Sequence, residues 1–245
     1  MIVESQNDKA FIALLLKDLG IDAELDVILE HLHKFEDESG QEHRGKEAIG
    51  AKLKSFKREL GKKYPNVEKI GVILDSDYPP KWSFKQNLVL INDAFHAAFG
   101  ISSALFHKES EFVKVDDSLQ AACFFNKDSS GNGNLDTLLL EIRKAPNEKV
   151  PYADCLELWR DCVNESSNAK KVNENTYAKI WLGNFMRAKA AELGKEGKSI
   201  LGNFEEKQSE VIAKVGATVF DLEHAALKSL RDFLILFKNT PIESK

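Results

Sequence analysis

The sequence predicts an α/β fold, with a mainly parallel, Rossmann-like sheet of about four strands that is flanked by helices. The unbroken apolar run Ile70–Leu74 is typical of a buried parallel strand, because such strands are covered on both faces. Short apolar runs alternate with amphipathic segments as far as residue 145, as expected for βαβ units. After Ala145-Pro146-Asn147 the patterns are helical, which predicts a helical carboxyl-terminal extension.

Each element of the sheet region is placed by its apolar pattern. The chain opens with the short apolar strand Ile2-Val3, and Asp8 then begins an amphipathic segment with Phe11 and Leu15 on one face. The polar stretch 37–44 is expected to be a hairpin or a loop insertion. We expect strands near Ile2–Glu4, Asp26–His33, Lys69–Asp75 and Ala121–Asn126, and helices from about Asp8, Lys46, Pro80 and Asn134.

The chain is predicted to have two parts. Residues 1–145 form the α/β domain, and residues 146–245 form a helical extension or lid packed on it. The sequence leaves open whether the second part covers the sheet or closes over it. Its helical patterns are Tyr152–Val163, Asn175–Leu193 and Phe220–Phe237.

Composition excludes several classes of protein. In 245 residues no apolar run approaches membrane-spanning length, so we expect no membrane partner and a cytoplasmic location. The three cysteines form no Cys-x-x-Cys pair, which argues against a structural zinc site. A formal net charge of −5 argues against broad, nonspecific attraction to nucleic acid.

The segment 46–63 departs from this overall acidity, with seven basic residues against two acidic ones. A helix with this charge could guide a phosphate backbone, or it could be a solvated surface of the kind common on globular proteins. The residues that would contact phosphate are Lys46, Lys52, Lys57 and Arg58.

Two acids follow the predicted strand at Ile70–Leu74. In an open α/β sheet, ligands bind beyond the carboxyl ends of the strands, and residues i and i+2 of a strand point to the same side. Asp75 and Asp77 could therefore present both carboxylates to one cation. The alternative is a strand that exits into a turn before Tyr78-Pro79-Pro80, with each aspartate bonding its own backbone.

Further acids are predicted to lie at the same edge. Glu4 ends the first strand, and parallel pairing would bring it near Asp75 and Asp77. Asp8 could join them or could cap the first helix. Asp136 lies in the first turn of a helix that follows a glycine-rich loop, where free backbone N–H groups favour an anion.

These segments together resemble a known family. Val3–Phe11, the strand that ends in Asp75-Ser76-Asp77 and the loop Gly131–Asp136 are similar in order and spacing to the three signatures of Toprim-like proteins. More narrowly, they resemble a family of uncharacterised single-domain proteins related to OLD nucleases. Its signatures read V-E-G-x-x-D, D-x-D and a glycine-containing loop into G-x-L-E. The resemblance covers most of the chain, because Val219–Leu234 is similar to the closing helix of that family.

The resemblance implies a Toprim-like fold and metal-dependent hydrolysis of nucleic acid, with DNA favoured over RNA. Glu4 would be a metal ligand or general base, and Asp75 and Asp77 would be ligands for Mg²⁺ or Mn²⁺. Asp8 and Asp136 would help to hold a second ion. OLD-type nucleases couple Toprim domains to ATPases, whereas this chain has no G-x-x-x-x-G-K-[ST] loop, so we expect a separate ATPase partner.

The sequence departs from the family pattern at two positions. Ser5 replaces the usual glycine, and Asp136 is shorter than the usual glutamate. These differences favour an alternative, in which a catalytically degenerate Toprim module binds an ATPase partner or nucleic acid without cutting it. The sequence leaves homodimerisation open.

Overall fold

The computed structural model describes residues 1–28, 34–36, 40, 42–80, 82–144, 151–166 and 171–238. The strands are β1 (Ile2–Val3), β2 (Asp26–Val27), β3 (Lys34–Glu36), β4 (Glu42–Arg44), β5 (Lys69–Asp75), β6 (Val113–Lys114) and β7 (Gln120–Asn126). The helices are α1 (Gln6–Leu19), α2 (Ile49–Glu59), α3 (Phe84–Phe99), α4 (Leu135–Glu141), α5 (Pro151–Glu165), α6 (Glu174–Glu192), α7 (Gly194–Leu201), α8 (Phe204–Val219) and α9 (Lys228–Ile235).

A five-stranded sheet in the order β2-β1-β5-β7-β6 organises the described residues. Strands β2, β1, β5 and β7 are parallel, and β6 adds an antiparallel edge that the sequence did not predict. The predicted α/β class and mainly parallel sheet are confirmed. Strands β3 and β4 form a separate antiparallel pair, which confirms the hairpin alternative for the polar stretch.

Both faces of the sheet are covered by helices. Successive strand residues point to opposite sides, so alternate residues pack into different layers. Val72 and Leu74 of β5 join one buried cluster with α2 and α3. Ile73 points the other way, into a cluster formed with α1, α4 and the carboxyl-terminal helices. This double coverage explains why β5 has no polar residue between Ile70 and Leu74.

The carboxyl-terminal helices share the core of one sheet face. The ring of Phe233 on α9 lies 5.3 Å from that of Phe124 on β7, and both side chains are buried. Helix α8 packs against α1, and the ring of Phe220 meets that of Phe11 at 6.1 Å in an edge-to-face arrangement. Among the described helices after residue 150, α9 therefore packs directly on the sheet, and α8 packs on α1 in the same core.

Several predicted boundaries differ from the structure. The expected strand Asp26–His33 is observed only as Asp26–Val27, and residues 29–33 lie outside the described residues. The helix expected from Lys46 begins at Ile49 after a 3₁₀ turn, Gly45–Ala48. The prediction of one helix over Phe220–Phe237 is wrong, because Phe220 is extended and α9 starts only at Lys228.

None of the helices within the described ranges combines the length and the apolar character that crossing a membrane would require.

Candidate functional site

The carboxyl ends of β1, β5 and β7 lie side by side, and this brings distant polar residues together. Val3 pairs with Ile73, and Asp75 pairs with Asn126. Glu4 therefore follows β1 one residue short of the level of Asp75, and its Oε2 accepts a hydrogen bond from the Asp75 N–H at 3.2 Å. Glu4 and Asp75, which are far apart in the sequence, are therefore in direct contact.

Asp8 uses its two carboxylate oxygens for different partners. Ser5 is the N-cap of α1, and Asp8 Oδ2 accepts hydrogen bonds from the Ser5 N–H at 3.0 Å and from Ser5 Oγ at 2.5 Å. Asp8 Oδ1 instead accepts a bond from Asn126 Nδ2 at 3.2 Å. Asp8 therefore both caps α1 and contacts the edge of the sheet through Asn126, because each role occupies one of its oxygens.

Asn126 is a residue of this edge that the sequence reasoning missed. It ends β7 directly opposite Asp75, and its amide also donates to Asp75 Oδ1 at 3.5 Å. Its side chain is fully buried, yet Oδ1 has no hydrogen-bond partner among the described residues. The amide therefore joins Asp8 to Asp75 and leaves one buried oxygen unsatisfied, which is uncommon in protein interiors. The strand register was the signal that could have identified it.

The glycine-rich loop brings the start of α4 to the same place. Asn134 caps this helix, and the Leu135 N–H donates to Asp75 Oδ1 at 3.0 Å. The anion at this helix start is thus the carboxylate of Asp75, which comes from the end of β5. Asp136, partly buried in the first turn, is close enough to raise the pKa values of Asp8 and Asp75 by electrostatic repulsion.

The acids disfavour one another's charge. Burial, followed by repulsion from Asp8 and Asp77, raises the pKa of Glu4 from 4.5 to about 7. Burial and the charge of Asp136 raise the pKa of Asp8 from 3.8 to about 6, against the lowering effect of the Ser5 hydrogen bonds. The pKa of Asp75 is raised well above its usual value by burial and by four surrounding carboxylates, of which Asp8 contributes most. A cation bound among these groups would relieve the repulsion.

Asp77 is oriented differently from the other acids. Strand β5 ends at Asp75, and Asp77 has a left-handed backbone with φ of 59°. Its N–H donates to Gly133 O at 2.5 Å, and the Gly133 N–H donates back at 3.1 Å. Its carboxylate forms an ion pair with Lys46 Nζ at 2.8 Å. Residues i and i+2 point to the same side only within a strand, and Asp77 lies beyond the end of β5. The reason for expecting Asp75 and Asp77 to face one cation therefore does not apply.

The four basic residues expected to meet phosphate do not form one surface. Lys46 and Lys52 are 4% and 7% exposed, and Lys52 pairs with Asp26 at 2.9 Å. Lys57 and Arg58 are exposed in the last turn of α2, about 12 Å along the helix axis from Ile49. The expectation that all four residues lie along an exposed helix surface is therefore wrong for the two buried lysines, whose ammonium groups turn inward to acidic partners.

The acids at this edge supply the oxygen atoms that a divalent ion needs, but they are not arranged around one ion. Carboxylate oxygens are the ligand atoms that Mg²⁺ and Mn²⁺ take, and the raised pKa values and the unsatisfied Asn126 oxygen mark a place with an excess of negative charge and of acceptor atoms. Within the part of the chain that the structure describes, however, no three His, Cys, Asp or Glu side chains are already placed to share one ion. Binding would require carboxylate side chains to reorient.

Comparison with known proteins identifies the family but not an activity. No curated protein and no solved structure matches the chain. The family described as "Protein of unknown function (DUF3226)" matches residues 1–237, which include both the acidic edge of the sheet and the carboxyl-terminal helices. The chain therefore belongs to the DUF3226 family.

Proposed function

We propose that this protein is a Toprim-like, metal-dependent nuclease that hydrolyses phosphodiester bonds of nucleic acid with Mg²⁺ or Mn²⁺. One observation carries the proposal: acids from separate stretches of the sequence meet at one sheet edge. Glu4 contacts Asp75, and Asn126 joins Asp75 to Asp8. The reaction class comes from the resemblance of these stretches to Toprim signatures. A cytoplasmic location fits this activity.

The residues at the edge would have two roles, which are metal binding and proton transfer. Glu4, Asp8, Asp75 and Asp136 would hold the ion, which when bound would polarise the phosphate and lower the pKa of attacking water. If Glu4 serves as the general base instead of a ligand, the bound ion would lower its pKa from the metal-free value of about 7, so the carboxylate would be ionised and able to accept a proton at neutral pH. Its Oε2 is held by the Asp75 N–H, which leaves Oε1 to accept a proton from water.

The direct test is cleavage of supercoiled DNA and of single-stranded RNA in the presence of Mn²⁺ or Mg²⁺. Removing the base or a ligand should lower the rate by at least about 100-fold, so Glu4→Ala and Asp75→Ala should both be nearly inactive. Glu68→Ala is the matched control, since Glu68 is exposed just before the opposite end of β5. Cleavage that persists undiminished in both site variants would reject this site.

A second candidate is a module that binds a partner ATPase or nucleic acid without cutting it. It is favoured by Ser5 and Asp136 at signature positions and by the lack, in the described residues, of three acids already placed for one ion. Calorimetry with Mn²⁺, followed by gentle co-purification from the native host, separates the two candidates. Recovery of an ATPase complex by a chain that binds no Mn²⁺ would favour the second.

A further inference from the structure

Lys46 is a buried cation inside the acidic edge. Its side chain is 4% exposed, and Nζ lies 2.8 Å from Asp77 Oδ2, 2.9 Å from Asp75 O and 2.9 Å from Asn87 Oδ1. Nζ also lies 4.0 Å from the centre of the Trp82 ring. An ammonium at this depth is stable only when it is paired and hydrogen-bonded, and these contacts meet that requirement.

The same group of residues fixes the turn after β5. Asn87 is fully buried and donates from Nδ2 to Ser76 O at 2.8 Å, while Lys46 binds the preceding carbonyl. Asp77 is held on its backbone by Gly133 and on its carboxylate by Lys46. These contacts fix both the path of the turn and the direction of the Asp77 side chain.

The two aspartates of the turn therefore have different partners. The carboxylate of Asp75 is bonded by Asn126 and by the Leu135 N–H, on the side of Asp8 and Glu4. The carboxylate of Asp77 is bonded by Lys46. The carbonyl of Asp75 also binds Lys46, so this residue lies between the two groups.

We propose that Lys46 is a positioning residue that retains Asp77 as its own counter-ion, so that Asp77 is not a ligand of the bound cation. The cation is then held by Glu4, Asp8, Asp75 and Asp136. This inference rests on the proposed function, because it concerns the same metal site. It separates the two acids that the Asp-x-Asp pattern would assign to one ion.

The test is Mn²⁺ affinity, measured on the full chain by the electron paramagnetic resonance signal of free Mn²⁺. One charge a few ångströms away in a partly buried site changes a binding constant by about tenfold or more. Lys46→Met should therefore tighten Mn²⁺ binding, and Asp77→Asn should weaken it by leaving the ammonium unopposed. The double variant Lys46→Met/Asp77→Asn should return to within about threefold of wild type, because the pair is lost as a neutral unit.

Asp75→Asn is the matched comparison, and it should weaken binding with or without the double variant. A double variant that binds as weakly as Asp77→Asn alone would make Asp77 a ligand and overturn the inference. So would an unchanged affinity in Lys46→Met, which is the result expected if Lys46 only supports the fold. If Lys46→Met alone does not fold, the double variant, which lacks both charges, carries the test.

The two proposals fail in different ways. Mn²⁺ binding by Lys46→Met but not by wild type would reject the proposed function and support control of the site by Lys46. Only the role of Lys46 would be rejected if wild type binds Mn²⁺ and one of two results follows. Either the double variant binds as weakly as Asp77→Asn alone, or Lys46→Met binds with unchanged affinity. Absence of binding in every variant would overturn both.

Discussion

Replacing Glu4 with glutamine should make the metal-free protein more stable, and the gain should increase with pH. Folding raises the pKa of Glu4 from 4.5 to about 7, mainly through burial. Below pH 4.5 the carboxyl is protonated in the folded and unfolded chains alike. Between pH 4.5 and about 7 the unfolded chain releases the proton first, so the free energy of unfolding falls as pH rises.

The size of the effect follows from this difference in pKa. At pH 8 the ionised Glu4 costs the folded state up to about 3 kcal/mol, and at pH 5 the cost is below about 1 kcal/mol. Glutamine keeps an oxygen that can accept the bond from the Asp75 N–H and carries no charge at either pH. Glu4→Gln should therefore exceed wild type in stability by up to about 3 kcal/mol at pH 8.

The assay is urea unfolding in EDTA at pH 5 and pH 8, followed by the fluorescence of the three tryptophans. Glu68→Gln is the control, because this exposed glutamate lies away from the acidic edge. A Glu4→Gln protein that is no more stable than wild type at pH 8 would refute the reasoning. Mn²⁺ at 1,000 times Kd should reverse the order, since it stabilises wild type by about 4.1 kcal/mol, which is more than the gain of about 3 kcal/mol from the substitution.

Two further predictions concern the loop and the basic helix. Gly133→Ala should destabilise the protein by about 2 kcal/mol or more in urea unfolding, because φ is +106° and the new Cβ would lie 2.3 Å from Thr137 Oγ1. An unchanged midpoint would contradict this. Lys57→Glu should weaken DNA binding and reduce the salt dependence by about one phosphate contact, as measured by fluorescence anisotropy at several salt concentrations. An unchanged salt slope would assign Lys57 to the solvated surface.

The long central strands could be predicted because their residues are buried on both faces. β5 was predicted with the observed boundaries, Lys69–Asp75, and β7 to within one residue. Strand β6 has two residues, too few for any alternation to be detected. The break at Phe220 also has no local signal, because the Asp221 N–H bonds Ile142 O and the Lys144 N–H bonds Val219 O. Pairing with a distant segment interrupts an otherwise helical pattern.

The acidic edge was predictable to the extent that it follows from strand ends. Glu4 and Asp75 were placed together because the carboxyl ends of parallel strands meet at one edge, and the structure brings them into contact. The direction of Asp77 was not predictable, since its left-handed backbone depends on a bridge to Gly133. Lys46 was selected for its charge on a presumed surface, whereas the turn before α2 directs it inward.

The two roles of Asp8 affect which acidic residues should be retained as such proteins diverge. A descendant that no longer used the site would still need Asp8, since one of its oxygens secures the first turn of α1. Glu4 accepts a hydrogen bond from the Asp75 N–H that an uncharged glutamine could also accept, and its charge destabilises the folded state. If the protein is the proposed nuclease and selection for that activity relaxed, Glu4 should be lost early and Asp8 retained, so a relative with a neutral residue at position 4 should bind Mn²⁺ weakly and fail to cut nucleic acid.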